Sequence, residues 1–419
     1  MSQNSEPVFD LIIAGGGLTG ATLALAAQEA GLDVCVLEAR VPDPQVDAAF
    51  DGRATALAFT SFRMLRALGL GEALEPHASP MRRILVTDGR RPGAARGAAM
   101  SSFLRFEADE IDAQADGEPL GYLVENRILR AALNRALIER GIKVVAPVKV
   151  ADVTVHDAHA SVIAEDGRQL RARVIAGAEG RASKVRDCAG IRTIGWTYGQ
   201  AGVVATVGLS RPHDDIAHEY FLPDGPFAIL PLTGQRASLV WTESARRAQS
   251  LMATGEDGFM AHLNRRFGEF LGPVSLQGPR FSYPLSLSYA EHRTGARTAL
   301  VGDAAQAVHP VAGQGLNIGL RDVASLVEVL AEAKRLGEDI GSAAVLERYA
   351  RWRRFDSVVL AASFDGFVRL FSNDNPLLRV ARGVGMSAVN RVPALRRAFM
   401  MQAGGALGDL PRLLRGERV

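Results

Sequence analysis

Four lysines, two cysteines and the absence of any long hydrophobic run set the first limits on this 419-residue chain. The lysines are Lys143, Lys149, Lys184 and Lys334, so almost all of its positive charge is arginine. Its 48 basic side chains meet 46 acidic ones, and a formal net charge of +2 argues against nucleic acid or another polyanion as partner. Cys35 and Cys188 are too few for a disulfide framework or a zinc site, so no metal is expected and a reducing compartment is the default. Cys35 sits in the apolar run 33–37 and reads as a small core residue. No window of about 18 uncharged apolar residues occurs, which rules out a spanning helix. The residues before Phe9 are polar and carry no secretory pattern, so a cytoplasmic location is expected.

What is present is enough apolar sequence, 47%, to bury a large core in one or two domains. The opening predicts a strand at Val8–Ala14, a glycine-rich turn, a helix over 18–30 and a strand at 33–37 ending on Glu38, a βαβ start. Apolar spacing then predicts helices over 53–70 and 126–140 and a strand at 143–146. Alternating runs between 152 and 178, broken by Asp157 and Asp166-Gly167, predict hairpins and a buried strand at 173–178 leading to Glu179-Gly180. From 196 to 289 the texture is β, with runs at 202–208, 227–232 and 237–242 and one helical insertion over 258–267. A buried strand at 298–301 follows, and beyond Gly313 the spacing predicts helices over 316–336, 343–371 and 376–402.

Two glycine-rich elements stand roughly 280 residues apart. Gly15-Gly16-Gly17-Leu18-Thr19-Gly20 matches G-x-G-x-x-G between a strand and a helix. Its first glycine permits the tight turn, its second lets a pyrophosphate approach the backbone, and its third allows close helix–strand packing. Glu38, at the end of the second strand, is placed to accept from a ribose hydroxyl. The second element runs from Gly302-Asp303 at a strand end to Gly313, Gly315, Leu316 and Asn317 at a helix start. A carboxylate there suits a sugar hydroxyl, and free N–H groups with a positive dipole end suit an electron-rich ring or a phosphate. One long ligand held at both ends fits the pair, and FAD has that form. The expected fold class is α/β: a Rossmann-like FAD-binding domain with an inserted mixed β-sheet substrate domain and a helical C-terminus. Its pieces are 1–75, 126–195 and 296–375 for FAD, 76–125 and 196–295 for the substrate, and 376–419 as a basic helical segment.

Further residues carry two readings each. Asp51 N-caps the helix expected after it, or Arg53 reaches a phosphate as a fixed cation. Glu179-Gly180 with Ser183 is an ordinary strand-to-helix turn or part of the ligand site. His309 is a hydrogen-bonded structural residue or a base, and Pro310 presents a rigid carbonyl to a flavin edge. In 376–419, Arg379, Arg382, Arg391, Arg396, Arg397, Arg412, Arg415 and Arg418 face only Asp409 and Glu417, eight minus two giving +6. That is a solvated helix face or a membrane- or partner-docking one.

These motifs, in this order, resemble the flavoprotein aromatic hydroxylases, and in detail the polyprenylphenol hydroxylases of ubiquinone biosynthesis. The resemblance rests on the run from His309-Pro310-Val311-Ala312-Gly313-Gln314-Gly315 to Asp322, on Asp-x-Arg-x-x-Ala-Leu at 51–57, and on 225–232 followed by Val240-Trp241. It spans about 8–415. It implies that Gly15, Gly17, Leu18, Thr19 and Gly20 hold the FAD pyrophosphate, Glu38 the adenosine ribose, and Asp303 the ribityl chain. Gly315, Leu316 and Asn317 take the pyrimidine end, while Arg53 and Asn126 lie near phosphates and flavin. Glu179-Gly180 stands where relatives carry Asp-Gly, a motif linked to both FAD and reduced pyridine nucleotide.

The resemblance implies hydroxylation of a phenol bearing an isoprenoid tail, with O2 as co-substrate and NAD(P)H or a reductase system as electron donor. It also implies other quinone-biosynthesis proteins as partners and peripheral contact with the inner face of the cytoplasmic membrane. No protein acid or base is identified; Tyr220, Phe221, Phe227, Trp241 and Pro310 are the expected substrate wall. Two rivals are a flavin-dependent reductase of an isoprenoid and a non-catalytic FAD-bound component of a biosynthetic complex.

Overall fold

The structure, a computed structural model, describes residues 8–45, 52–88, 103–110, 117–222, 225–268, 270–308, 314–354, 389, 391–406 and 408–419. Val8–Ala14 reads VFDLIIA, the near-continuous apolar run of a strand covered on both faces of a parallel sheet. It pairs in parallel with Gln169–Gly177 on one side and Val34–Leu37 on the other. Thr298–Leu300 and Lys143–Val145 extend the two edges, again in parallel. Alternation sends Leu11 and Ile13 to one face, under the helices Leu18–Glu29, Asn126–Glu139 and Gln314–Arg335. Ile12 and Ala14 go to the other, under the antiparallel strands Val150–Val155 and Ala160–Ala164.

A second sheet runs in the order Gln306–Ala307, Val274–Ala290, Thr193–Leu209, Arg236–Ser244, Gly225–Leu232, Ile216–Leu222, Arg83–Asp88, Phe103–Glu107. Neighbours are antiparallel except Ile216–Leu222 with Arg83–Asp88. One face packs on the helices Ala245–Ala253 and Glu256–Phe267. A small sheet of Ala54–Ala58, Gly121–Glu125 and Ser79–Met81 sets Ala56, Met81 and Leu123 against Ala217 and Leu232 of the second sheet.

Two expectations change. The helix expected over 53–70 is a strand, Ala54–Ala58, followed by a shorter helix, Phe59–Ala67. The small side chains of A-T-A-L-A pair with Gly121–Glu125, and Asn317 grips the same strand, donating to the Ala56 carbonyl (2.8 Å) and accepting from the Ala58 N–H (2.9 Å). Tertiary pairing here overrides local spacing, and Asp51, outside the described residues, is followed by no helix to cap. The β region holds a further helix, Ala245–Ala253, ahead of the one expected. Of the C-terminal helices, 343–354 and Pro393–Ala403 are seen, and the rest of 343–371 and 376–402 lies outside the described residues. Among the described residues no helix is long and apolar enough to cross a membrane.

Candidate cofactor and substrate site

Between the two large sheets lies a cavity of about 1810 Å³, well above the 300–1,000 Å³ common for one ligand. Both glycine-rich elements open into it. At the first, Gly15 turns with φ +95°, a conformation L side chains rarely adopt, and a Cβ there would lie 2.7 Å from the Ala178 carbonyl oxygen. A Cβ on Gly20 would sit 1.8 Å from the Gly15 carbonyl oxygen. Gly20 therefore stands behind the cavity wall and serves helix–turn packing. Gly17 differs: its φ is −65°, and a Cβ on it would meet nothing within 4 Å. No side chain caps the helix that begins at Leu18, so its first N–H groups remain for a ligand.

The second element has the same form. Gly315, in the first turn of Gln314–Arg335, lines the cavity, and a Cβ on it would meet nothing within 4 Å among the described residues. The two helix starts are packed together through Thr19, whose side chain lies 3.0 Å from where a Gly319 Cβ would be and 3.1 Å from where a Gly302 Cβ would be. Two glycines whose missing side chains neither packing nor backbone conformation explains thus face one space. Such a cradle fits a dinucleotide cofactor held at two points.

Around the cradle, Glu38 accepts from the Gly16 N–H (2.5 Å) and the Arg40 N–H (3.0 Å), fixing the first turn. Glu179 accepts from the Ser183 hydroxyl (2.6 Å) and the Val185 N–H (3.1 Å); burial outweighs these bonds and holds its carboxyl above the usual range. Gly180, with φ +84°, makes the turn that follows. Asp303 lies in the cavity with the Arg181 guanidinium at 3.9 Å; burial raises its carboxyl and Arg181 opposes the rise. Arg53 lies over the Tyr283 ring at 5.8 Å, and Asn126 accepts from the Thr55 hydroxyl at 2.6 Å.

The cavity therefore brings together Gly15, Gly17, Leu18, Thr19, Glu38, Arg53, Asn126, Glu179, Gly180, Asp303, Gly315, Leu316 and Phe221. Gly302 and Asn317 are buried behind its wall, and the Asn317 amide is engaged by the 54–58 strand. Pro310 and Gly313 lie outside the described residues. Three expected wall residues point the other way. Phe227 and Trp241 are 0% and 2% exposed, with Tyr220 partly buried beside them in the cluster under the helices. Trp241 donates to Glu243 at 2.9 Å and meets Phe227 edge-on at 5.8 Å. Strand alternation separates them from Phe221, which faces the cavity beside Val86 and Leu104. The wall is instead made of Gly202, Val204, Ala228, Leu230 and Val240.

Two further groups have roles that sequence spacing does not reveal. Asp322, fully buried, accepts from Arg293 (2.9 Å), Arg353 (2.7 Å) and the Gly302 N–H (3.0 Å), and so fixes the turn that carries Asp303. Glu219 is the other: a lone acid in an alternating strand reads as solvent-facing, yet it lines the cavity.

Residues 9–356 match the family model described as the FAD binding domain. The chain is 44% identical to a protein named ubiquinone hydroxylase UbiL of Rhodospirillum rubrum, with 99% of this chain and 95% of that one covered. It is 34% identical to the 3-demethoxyubiquinol 3-hydroxylase of Escherichia coli, covering 94% and 98%. Among solved structures it is similar to the p-nitrophenol 4-monooxygenase PnpA of Pseudomonas putida, at TM-score 0.76 and 19% identity, with 98% and 99% covered, which is a likeness of fold.

Proposed function

The chain belongs to the FAD-binding domain family, and from that membership and the shape of its cavity we propose that it hydroxylates the aromatic ring of a polyprenylated phenol in ubiquinone biosynthesis. It is an FAD-dependent monooxygenase of the α/β class expected from its sequence. The observation that carries the reading is the shared space itself: Gly17 and Gly315 open from two helix starts into a cavity whose far wall is an apolar sheet face. Bound FAD, once reduced by NAD(P)H or a reductase system, supplies the activation of O2, of which one atom enters the ring and the other leaves as water. The chain's part is to hold the cofactor by the two glycine turns, Glu38 and Asp303, to seat the ring against Phe221, Val204 and Ala228, and to exclude water. The proposed division assigns 1–75, 126–195 and 296–375 to FAD, 76–125 and 196–295 to the substrate, and 376–419 to docking.

A substrate with an isoprenoid tail resides in a membrane, and the C-terminal segment supports contact with one. Val392, Leu395 and Phe399, spaced three and four apart, are 47%, 42% and 49% exposed. Phe399 also lines the cavity, beside Val389 and Met400. Electrostatics contribute less than the sequence suggests, because Arg396 pairs with Glu110 (2.5 Å), Arg418 with Glu29 (3.1 Å), and Arg412 and Arg415 with Glu417. Replacing all three apolar residues with serine is expected to lower binding to anionic vesicles at least several-fold in flotation while FAD content stays constant. Unchanged flotation removes the docking role.

The function itself is tested by deleting the gene and identifying the accumulated quinone precursor by mass spectrometry. A precursor one oxygen short of the next intermediate is expected, and the same species should persist when the Gly17→Val variant replaces the wild type. Normal quinone content refutes the reading; an unreduced isoprenoid chain favours the reductase.

A further inference from the structure

The cavity-facing side of the second sheet is largely apolar, and beside His218, Thr242 and Tyr283 it carries a single carboxyl. In the strand Ile216–Leu222, Ala217, Glu219 and Phe221 face the cavity and His218 also lines it, while Tyr220 turns to the helices behind. Glu219 lies in register with Ala228 on one side and Val86 on the other, so its carboxyl stands between hydrocarbon neighbours. Among the described residues it has no hydrogen-bond or ion-pair partner. Of the adjoining strands, Gly225–Leu232 carries no titratable group. Arg83–Asp88 carries Arg83 and Asp88, in register with Ile216 and Phe221. Its own strand adds His218 and Tyr220, and the remaining cavity walls contribute Glu38, Arg53, Lys149, Glu165, Glu179, Arg181, Lys184, Tyr283 and Asp303.

An unpartnered carboxyl in an apolar wall is costly, and a hydrocarbon of similar size would pack there at less cost. Its presence in the space left for a substrate points to a role in chemistry. We infer that the Glu219 carboxylate is the proton acceptor for the ring hydroxyl of the phenol that this cavity receives, an inference that rests on the phenolic substrate proposed above. In the step the phenol O–H bond breaks, a carboxyl O–H bond forms, and the electron pair stays on the phenolic oxygen. That pair raises the electron density of the ortho and para ring carbons, where oxygen enters. The proton returns to the phenolic oxygen once the ring has lost its C–H proton and is aromatic again.

The acidity of Glu219 suits the task. Burial alone pushes its carboxyl up to about 8. An ordinary phenol ionises near 10, so transfer to Glu219 is uphill by about 10²-fold, against about 10⁵–10⁶-fold for an unperturbed glutamate. At neutral pH a minor but usable fraction of the enzyme holds the carboxylate.

The test uses the FAD-loaded, full-length protein and Glu219→Gln, with flavin absorbance as the control for folding. With a short-chain prenylated phenol, wild-type kcat/KM should rise about tenfold per pH unit up to about pH 8. Glu219→Gln should lose that limb and fall by about 10²–10⁴-fold. Without turnover, difference infrared spectra of the wild type should show a carboxyl band that titrates near pH 8, is absent in Glu219→Gln, and shifts on binding the phenol but not its methyl ether. A variant with the wild-type rate and pH limb overturns the inference, as does a band insensitive to the phenol. Failure of the wild type to hydroxylate any prenylated phenol, with the band still shifting, sinks the function proposed above and leaves the Glu219–phenol contact standing. Should Glu219→Gln not fold, the wild-type infrared titration decides alone.

Discussion

Gly17→Val is expected to give a protein that folds and stays colourless. The backbone at Gly17, φ −65° and ψ −172°, is open to any residue, and a Cβ would touch nothing within 4 Å. Folding therefore loses little, within about 0.5 kcal/mol, and the unfolded chain becomes slightly less free. Binding loses much, because the valine methyl groups would occupy the space above the uncapped N–H groups of Leu18–Glu29, the donors an incoming pyrophosphate needs. A fall in FAD affinity on the order of 10²-fold or more, about 2.7 kcal/mol, is expected in a fluorescence titration. Gly315→Val should behave alike from the other end of the cradle. Gly20→Val is the contrast: its Cβ would lie 1.8 Å from the Gly15 carbonyl oxygen, so that protein should fail in folding before it fails in binding. Wild-type FAD affinity in Gly17→Val sets the cofactor elsewhere than this cavity.

These glycines were legible in the sequence because their requirements are local: strand, turn and helix follow one another within 8–29, and the spacing of three glycines states the geometry. The 298–303 turn was legible for the same reason. What escaped is set by distant partners. The strand Ala54–Ala58 has helix-compatible residues, and its extended form comes from Gly121–Glu125 and from Asn317, 259 and 261 residues away from its bonding partners. The substrate wall differs from the expected one because aromatic bulk in a strand does not by itself mark a ligand face. In a strand covered on both sides, bulk marks the packed core: Phe227 and Trp241 fill the space under two helices, of which Ala245–Ala253 was not foreseen. The ligand face keeps smaller residues such as Gly202, Ala217 and Ala228, which leave the room that a ligand takes.

Asp322→Asn should cost the most in stability, about 3–5 kcal/mol, read as a lowered midpoint of urea denaturation in the flavin-free protein. Asp322 is 0% exposed, and the guanidinium groups of Arg293 and Arg353 beside it are 4% and 2% exposed. The amide keeps the volume and one acceptor but removes the negative charge that both cations share, at a place where water cannot replace it. The motif gave no warning, since the partners lie 29 and 31 residues away. High salt should leave the wild-type value nearly unchanged, as a pair this deep is hardly screened. An exposed pair such as Arg66 with Glu75, 38% and 51% exposed, should lose at most about 1 kcal/mol on Glu75→Gln. The cost of Asp322→Asn should also reach the cofactor, because Asp322 holds the Gly302 N–H and with it the turn that presents Asp303. The double variant Asp322→Asn with Arg353→Met separates charge from packing. If the loss arises from buried positive charge, removing one guanidinium should recover part of it; if it arises from misfitted volume, the two losses should add.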